Sequence, residues 1–286
     1  MQNTELVSAE PSCFPAENPL PGHPAMVVCP GGAYATLSPF EGEAVARYFA
    51  SKGFTGYVCN YGVGEQARMP GPLHQLARTV QAAREKADFV AVCGFSAGAH
   101  LCALLSTRWK SVAAELAVSG AALRPDAAVL GYPLTDFLMS MPLQPLAMFQ
   151  AVDGTTGEAS VPEYFRGALC QTPQGERLDF RALSLKNLLG TEHPDPAALR
   201  FLSPARLVDC DTSPAFVWTT RTDSLIPCGQ SVAYADALAA QGVQVALHVF
   251  SQGEHGEGLA QANPESHLWP TLAENWLLSV RAHARG

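Results

Sequence analysis

Six short apolar runs recur along the chain, and the stretches between them are long enough and periodic enough to be helices. The runs are "PAMVVC" (24–29), "GYVCN" (56–60), "FVAVC" (89–93), "AAVLGY" (127–132), "AFVWTT" (215–220) and "VQVALHVF" (243–250). Runs this short that do not alternate with polar residues suit strands covered on both faces. After the first run, Ser38-Pro39-Phe40-Glu41 reads as a capping box with proline at the first helical position. Val45, Tyr48 and Phe49 then mark one apolar face, and Gly53 is the stop. Leu73, Leu76, Ala77, Val80 and Ala83 repeat at helical spacing within 72–87. A further helix at 228–241 ends at Gly242, and the last covers 266–284. Strands separated by helices of this length predict an α/β fold, a mostly parallel twisted sheet with helices on both faces, in a single domain over 1–286.

The rhythm breaks between Phe137 and Leu202, a stretch rich in Pro, Gly and Met with short helical pieces such as "PLAMFQAV" and "VPEYFRGAL". So long a segment without structure of its own would be unusual. Residues 138–202 are therefore expected to form a cap or lid inserted in the domain, the alternative being a peripheral insertion without a part in the chemistry.

Composition removes several classes of partner. The net charge is −8, and the 18 basic residues form no run, so nucleic acid is not an expected partner. No stretch approaches the roughly 20 apolar residues that span a bilayer, so no membrane role is expected. The opening "MQNTELVSAEP" has neither a basic nor an apolar leader region, which leads us to expect a cytoplasmic protein. The eight cysteines include no C-x-x-C pair, and several lie in apolar strand-like runs, as free thiols in a reducing compartment would. Gly62-Val63-Gly64-Glu65-Gln66-Ala67 imitates a dinucleotide fingerprint, but Met69-Pro70-Gly71-Pro72 follows where a helix should run. With no phosphate-loop motif and no H-E-x-x-H, no cofactor and no metal are expected. Oligomeric state leaves no mark in the sequence.

In an open parallel sheet, ligands bind beyond the carboxyl ends of the strands. Four strand ends carry chemistry: Pro30-Gly31-Gly32-Ala33-Tyr34, Gly94-Phe95-Ser96-Ala97-Gly98, Arg221-Thr222-Asp223, and Ser251-Gln252-Gly253-Glu254-His255-Gly256. A serine hydroxyl needs a base to take its proton, which His255 can supply. Asp223 can hold the imidazole in the required tautomer. The order Ser96, Asp223, His255 is that of α/β-hydrolases and differs from two other serine-protease orders. Backbone N–H groups of Gly32, Ala33 and Ala97 are candidate oxyanion donors, Ala97 because it opens a helix. Asp136, one strand earlier, is the rival acid. Tyr34 is a candidate substrate contact or a packing residue of its loop. Glu41 is better explained as the partner of Ser38 in the capping box than as a chemical group.

Together "VVCPGGAY", "GFSAGAHL", "SPARLV", "TRTDSLIPCGQSVAYADAL" and "GEHGEGLA" resemble the α/β-hydrolase esterases related to bacterial acetyl-xylan and feruloyl esterases, from about position 25 to 276. The resemblance implies a serine hydrolase of the carboxylesterase type with Ser96 as nucleophile, Asp223 as acid and His255 as base. It implies a small-molecule ester substrate drawn from acetylated or feruloylated sugars and oligosaccharides. Ala33 stands where relatives often carry a third glycine, the segment 138–183 is longer than usual, and the chain before Pro24 is too short for a pair of leading strands. The expected function is deacetylation of O-acetylated sugars or short xylo-oligosaccharides. The alternatives are a feruloyl esterase, an amidase or arylformamidase, a small peptidase using the same three residues, or a noncatalytic binding protein.

Overall fold

A computed structural model describes residues 11–152 and 159–285. The first ten residues, part of the expected leaderless start, and positions 153–158 of the expected insertion lie outside the described residues. Seven strands form the main sheet: β1 (Ser12–Phe14), β2 (Ala25–Cys29), β3 (Thr55–Val58), β4 (Val90–Phe95), β5 (Ala127–Gly131), β6 (Ala215–Thr220) and β7 (Val245–Phe250). Their spatial order is β1-β3-β2-β4-β5-β6-β7. All neighbours are parallel except β1, which lies antiparallel on β3 with Cys13 opposite Tyr57. Among the described residues before Pro24, the chain supplies one short edge strand, which three residues of weak pattern did not announce.

Among the described residues, the helices longer than six residues are α1 (Glu43–Ser51), α2 (Gly71–Arg84), α3 (Ala97–Leu116), α4 (Phe180–Leu189), α5 (Gly229–Ala240) and α6 (Trp269–Arg285). β2 shows why its run is continuous rather than alternating. Ala25, Val27 and Cys29 face the core under α2 and α3, while Met26 and Val28 face the core that includes Val45 and Phe49 of α1 and Trp269 and Leu277 of α6. The first ten residues of α3, from Ala97 to Ser106, are all buried, as expected of a helix apolar on every side. Its polar members find partners: Ser106 donates to the Cys102 carbonyl at 2.9 Å. Among the described residues, no helix is long and apolar enough to cross a membrane.

The expected capping box does not form. Ser38 and Glu41 do not cap a helix, because α1 begins at Glu43 with Gly42 as its N-cap and no side-chain cap. Glu41 instead points inward and is only 2% exposed.

The segment after Phe137 is more structured than its sequence suggests. Gln144–Pro145, Gly175–Leu178 and Leu169–Thr172 form a three-stranded antiparallel sheet. The two pieces read as helical form only short 3₁₀ turns, Leu146–Met148 and Glu163–Ala168. The Asp179 side chain accepts the Ala182 N–H at 2.8 Å and so caps α4. Leu178, Phe180, Leu183, Leu185 and Leu188 join the same apolar cluster as β2 and β4.

Candidate active site

The chain runs from β2 outward to β3, then returns to β4 on the other side of β2. A crevice opens at such a reversal, beyond the carboxyl ends of β2 and β4. Ser96 sits there, between β4 and α3, with φ 51° and ψ −117°. A non-glycine residue in that region costs about 1–3 kcal/mol, held in place by its surroundings. The restraints are visible: the Ser96 N–H donates to the Gly131 carbonyl at 3.0 Å, and the His100 N–H donates to the Ser96 carbonyl at 2.9 Å. The flanking glycines are needed for space. A Cβ at Gly94 would meet the Gly98 carbonyl oxygen at 2.4 Å, and one at Gly98 would meet the Cys29 and Pro30 carbonyl oxygens at 2.1 and 2.4 Å.

The loop after β7 delivers His255. Thr220 and Thr222, at and after the end of β6, both donate to the Gly253 carbonyl, at 2.7 and 3.0 Å. The Ser96 hydroxyl donates to His255 Nε2 at 2.9 Å, and His255 Nδ1–H donates to Asp223 Oδ2 at 2.8 Å. The other carboxylate oxygen of Asp223 accepts the Leu225 and Ile226 N–H groups at 2.9 and 2.8 Å. Three residues distant in sequence are thus joined in one hydrogen-bonded chain. Asp136, the rival acid, is engaged elsewhere: Arg206 and the Leu138 N–H donate to it, each at 2.8 Å.

Beside Ser96 the loop from Gly31 to Ser38 is folded back on its own carbonyls. The Ala35 and Thr36 N–H groups donate to the Gly32 carbonyl at 2.9 and 3.1 Å, and Ser38 N–H donates to the Gly31 carbonyl at 3.0 Å. Gly32 has φ 127°, a conformation open to glycine; Ala33 and Tyr34 have φ 54° and 57°. The alanine in place of a third glycine is therefore accommodated in the left-handed region at a cost of about 1 kcal/mol. Among the described residues, none accepts the N–H of Gly32, Ala33 or Ala97.

Of the two roles expected for Tyr34, its surroundings match the packing one. Its side chain is fully buried, and its hydroxyl donates to His100 Nδ1 at 2.5 Å. His100 Nε2–H donates in turn to the Leu202 carbonyl at 2.7 Å, and burial lowers the His100 pKa from 6.5 to about 4. His248 stacks on Phe216 with centroids 4.8 Å apart, away from the serine.

Sequence reasoning missed Glu41. Its Oε2 accepts the Gly31 N–H at 2.8 Å, and its Oε1 accepts the Tyr132 hydroxyl at 2.6 Å. Burial, then the neighbouring Glu41 charge, push the Tyr132 pKa well above its ordinary value. The inward-facing apolar run before Tyr132 was readable, but no local signal pairs it with position 41.

Two hollows meet at Ser96. The larger, about 220 Å³, is bordered by His255, Gly256, Glu41 and the insertion's Phe149, Phe165 and Phe180. The smaller, about 20 Å³, lies against Ala33, Ala97, Met141, Phe180, Leu225 and Ile226 and does not touch His255.

The fold agrees with the known proteins this chain matches. The chain belongs to the α/β-hydrolase fold family, whose match covers residues 26–258. It is 29% identical over 254 residues to endo-1,4-β-xylanase B of Butyrivibrio fibrisolvens, covering 84% of this chain and 33% of that protein. It is 26% identical over 285 residues to the acetylxylan esterase of Xylanibacter ruminicola, covering 96% of this chain and 49% of that protein. The chain thus spans between a third and a half of the length of these curated relatives. Among solved structures, an acetyl ester-xyloside bifunctional hydrolase from Caldicellulosiruptor lactoaceticus superposes with TM-score 0.69 at 29% identity, over 94% of this chain and 88% of that one. The carboxylesterase Cest-2923 of Lactobacillus plantarum shares the fold, with TM-score 0.68 at 23% identity over 93% and 91% of the two chains.

Proposed function

We propose that the protein is a serine esterase that removes small acyl groups, acetyl foremost, from O-acylated sugars or short xylo-oligosaccharides. The reading is carried by the hydrogen-bonded chain Ser96–His255–Asp223 opening onto the two unequal hollows. His255 takes the Ser96 proton as the hydroxyl oxygen attacks the ester carbonyl. The N–H groups of Gly32, Ala33 and Ala97 stabilise the oxyanion, each such donor being worth about 10²–10³ in rate. His255 then returns the proton to the leaving alcohol oxygen, and water activated by the same imidazole releases the acid.

This proton path assigns the hollows. The alcohol must lie within reach of His255, so the sugar takes the larger hollow, with Phe149 and Phe165 as apolar walls. The acyl group takes the smaller one, behind the oxyanion donors. About 20 Å³ there is room for little more than one water-sized group, which suits a methyl. A feruloyl group, with its aromatic ring, exceeds it. The names of the relatives support the sugar-ester assignment, and the four fully buried thiols (Cys29, Cys59, Cys93 and Cys102) suit a reducing cytoplasm.

The test is acetate release from a panel of acetylated xylo-oligosaccharides and from p-nitrophenyl acetate, with an acetanilide as the amide control. Wild type is expected to hydrolyse the esters in preference to the amide, and Ser96→Ala to lose ester hydrolysis while keeping its melting temperature. Full activity in Ser96→Ala would remove the serine from the mechanism.

A further inference from the structure

The residue first read as a helix cap occupies the junction of the site. Glu41 is 2% exposed, and both of its oxygens are used by donors from different parts of the chain. Gly31 N–H belongs to the loop that carries the oxyanion donors. The Tyr132 hydroxyl stands at the end of β5. It also accepts the Gly258 N–H at 3.0 Å, three residues past His255. The ring of Tyr132 packs against the imidazole of His255, with centroids 4.7 Å apart. Its backbone N–H donates to the Trp218 carbonyl at 2.7 Å, and its φ is 37°. The linkage Gly31–Glu41–Tyr132–Gly258 thus runs behind Ser96 from one half of the site to the other.

The chemistry of this linkage asks for a carboxylate. Two donors meet the two oxygens of one side chain, and a carboxylate accepts on both, whereas an amide accepts on one and donates on the other. The space is equally specific: a Cβ at Gly31 would approach Glu41 Oε2 to 2.7 Å and Ser96 Cβ to 3.0 Å. A buried anion is costly unless its hydrogen bonds are charge-assisted and complete, and here both oxygens are occupied. The Glu41 carboxylate holds the Pro30–Gly31 peptide plane, and the Ser38 N–H holds the next one through the Gly31 carbonyl at 3.0 Å, so the loop is anchored on both sides of Gly31 just before the Gly32 N–H.

We propose that Glu41 is a positioning residue: through the Tyr132 hydroxyl it holds the oxyanion loop and the His255 loop in one fixed relation. This rests on the esterase reading above. It assigns Glu41 no contact with the reacting atoms. Loosening the linkage lets donors and imidazole drift apart by fractions of an ångström, which lowers the rate of the chemical step more than ground-state binding.

Glu41→Gln, Tyr132→Phe, the double variant and Ser96→Ala are compared on p-nitrophenyl acetate, well below their melting temperatures, as kcat and KM per folded molecule. Glu41→Gln is expected to lower kcat about 10–100-fold, with KM changed less than about twofold. Tyr132→Phe keeps the ring on His255 and is expected to lower kcat about 5-fold. Because both cut the same linkage, the double variant should be no slower than Glu41→Gln alone. Unchanged kcat in both single variants, or a double loss equal to the product of the single losses, would overturn the proposal. Should Glu41→Gln fail to fold, Tyr132→Phe decides, and full kcat in that variant refutes the linkage. An active Ser96→Ala would instead sink the esterase reading, so the two failures are distinguishable.

Discussion

The strand ends and the insertion meet at the same serine but are built in opposite ways. Along β2, β4 and β6 every side chain is buried, the turns that follow are held by backbone carbonyls, and glycines stand where a single Cβ would collide. Across Phe137–Leu202 the strands are two to four residues long, and Phe149, Phe165 and Met141 are only partly buried where they face the hollows. The first region tolerates almost no displacement, and the second is a wall whose side chains can be exchanged. Under the proposed function, reaction geometry belongs to the sheet, and the insertion supplies the exchangeable part of the substrate wall.

The largest test of that division is Asp223→Asn. Oδ1 is held by two N–H groups, so the amide oxygen takes that place and the NH₂ faces His255 Nδ1. The imidazole must then carry its proton on Nε2 and cannot accept from Ser96. Steady-state assays should show kcat lower by about 10⁴ for every ester, with no change in their ranking. A changed ranking would mean that the sheet also selects substrates.

Next comes the contact that ties the two regions, His100 between Tyr34 and Leu202. Its folded-state pKa, about 4, lies below the ordinary 6.5, so the unfolded chain binds a proton that the folded one refuses. Stability from this group is present above pH 6.5 and is lost as pH falls toward 4, by about 3 kcal/mol in all. Urea unfolding at pH 7 and pH 4.5 should show a steeper acid loss in wild type than in His100→Gln. Parallel losses would dissolve the tie.

Met141→Ala enlarges the small hollow from the insertion side alone. The butyryl-to-acetyl ratio of kcat/KM should rise about tenfold, with a smaller change for the acetyl ester itself. Smallest is Phe165→Ala, which should raise KM for an acetylated xylo-oligosaccharide about threefold and affect a p-nitrophenyl ester less. Equal effects on both esters would argue that Phe165 supports the fold rather than the sugar.

The same contrast governs what could be read from the sequence. β2, β4, β5 and β6 are contiguous buried runs and β7 is a partly buried one, and the residues after such strands must fall at one edge of the sheet, so Ser96, Asp223 and His255 could be placed near each other from local signals. Glu41 could not be. Its partners lie 10 and 91 residues away, and Ser38 to Glu41 happens to match the spacing of a helix start, whereas the helix opens at Glu43 with Gly42 as its N-cap. Tyr34 was ambiguous because an aromatic after a glycine turn can point either way, and only His100, 66 residues distant, decides that it points in. The strands of the insertion are too short for periodicity to register.

Gly98 carries a consequence for redesign. Its missing side chain lets α3 rest directly on the carbonyls of Cys29 and Pro30, so the helix that follows the attacking serine sits against the root of the loop that carries the anion cradle. A graft that replaces the aromatic wall with one from another scaffold can therefore retune the pocket without re-aiming the nucleophile, provided the seat for His100 at Leu202 is carried across.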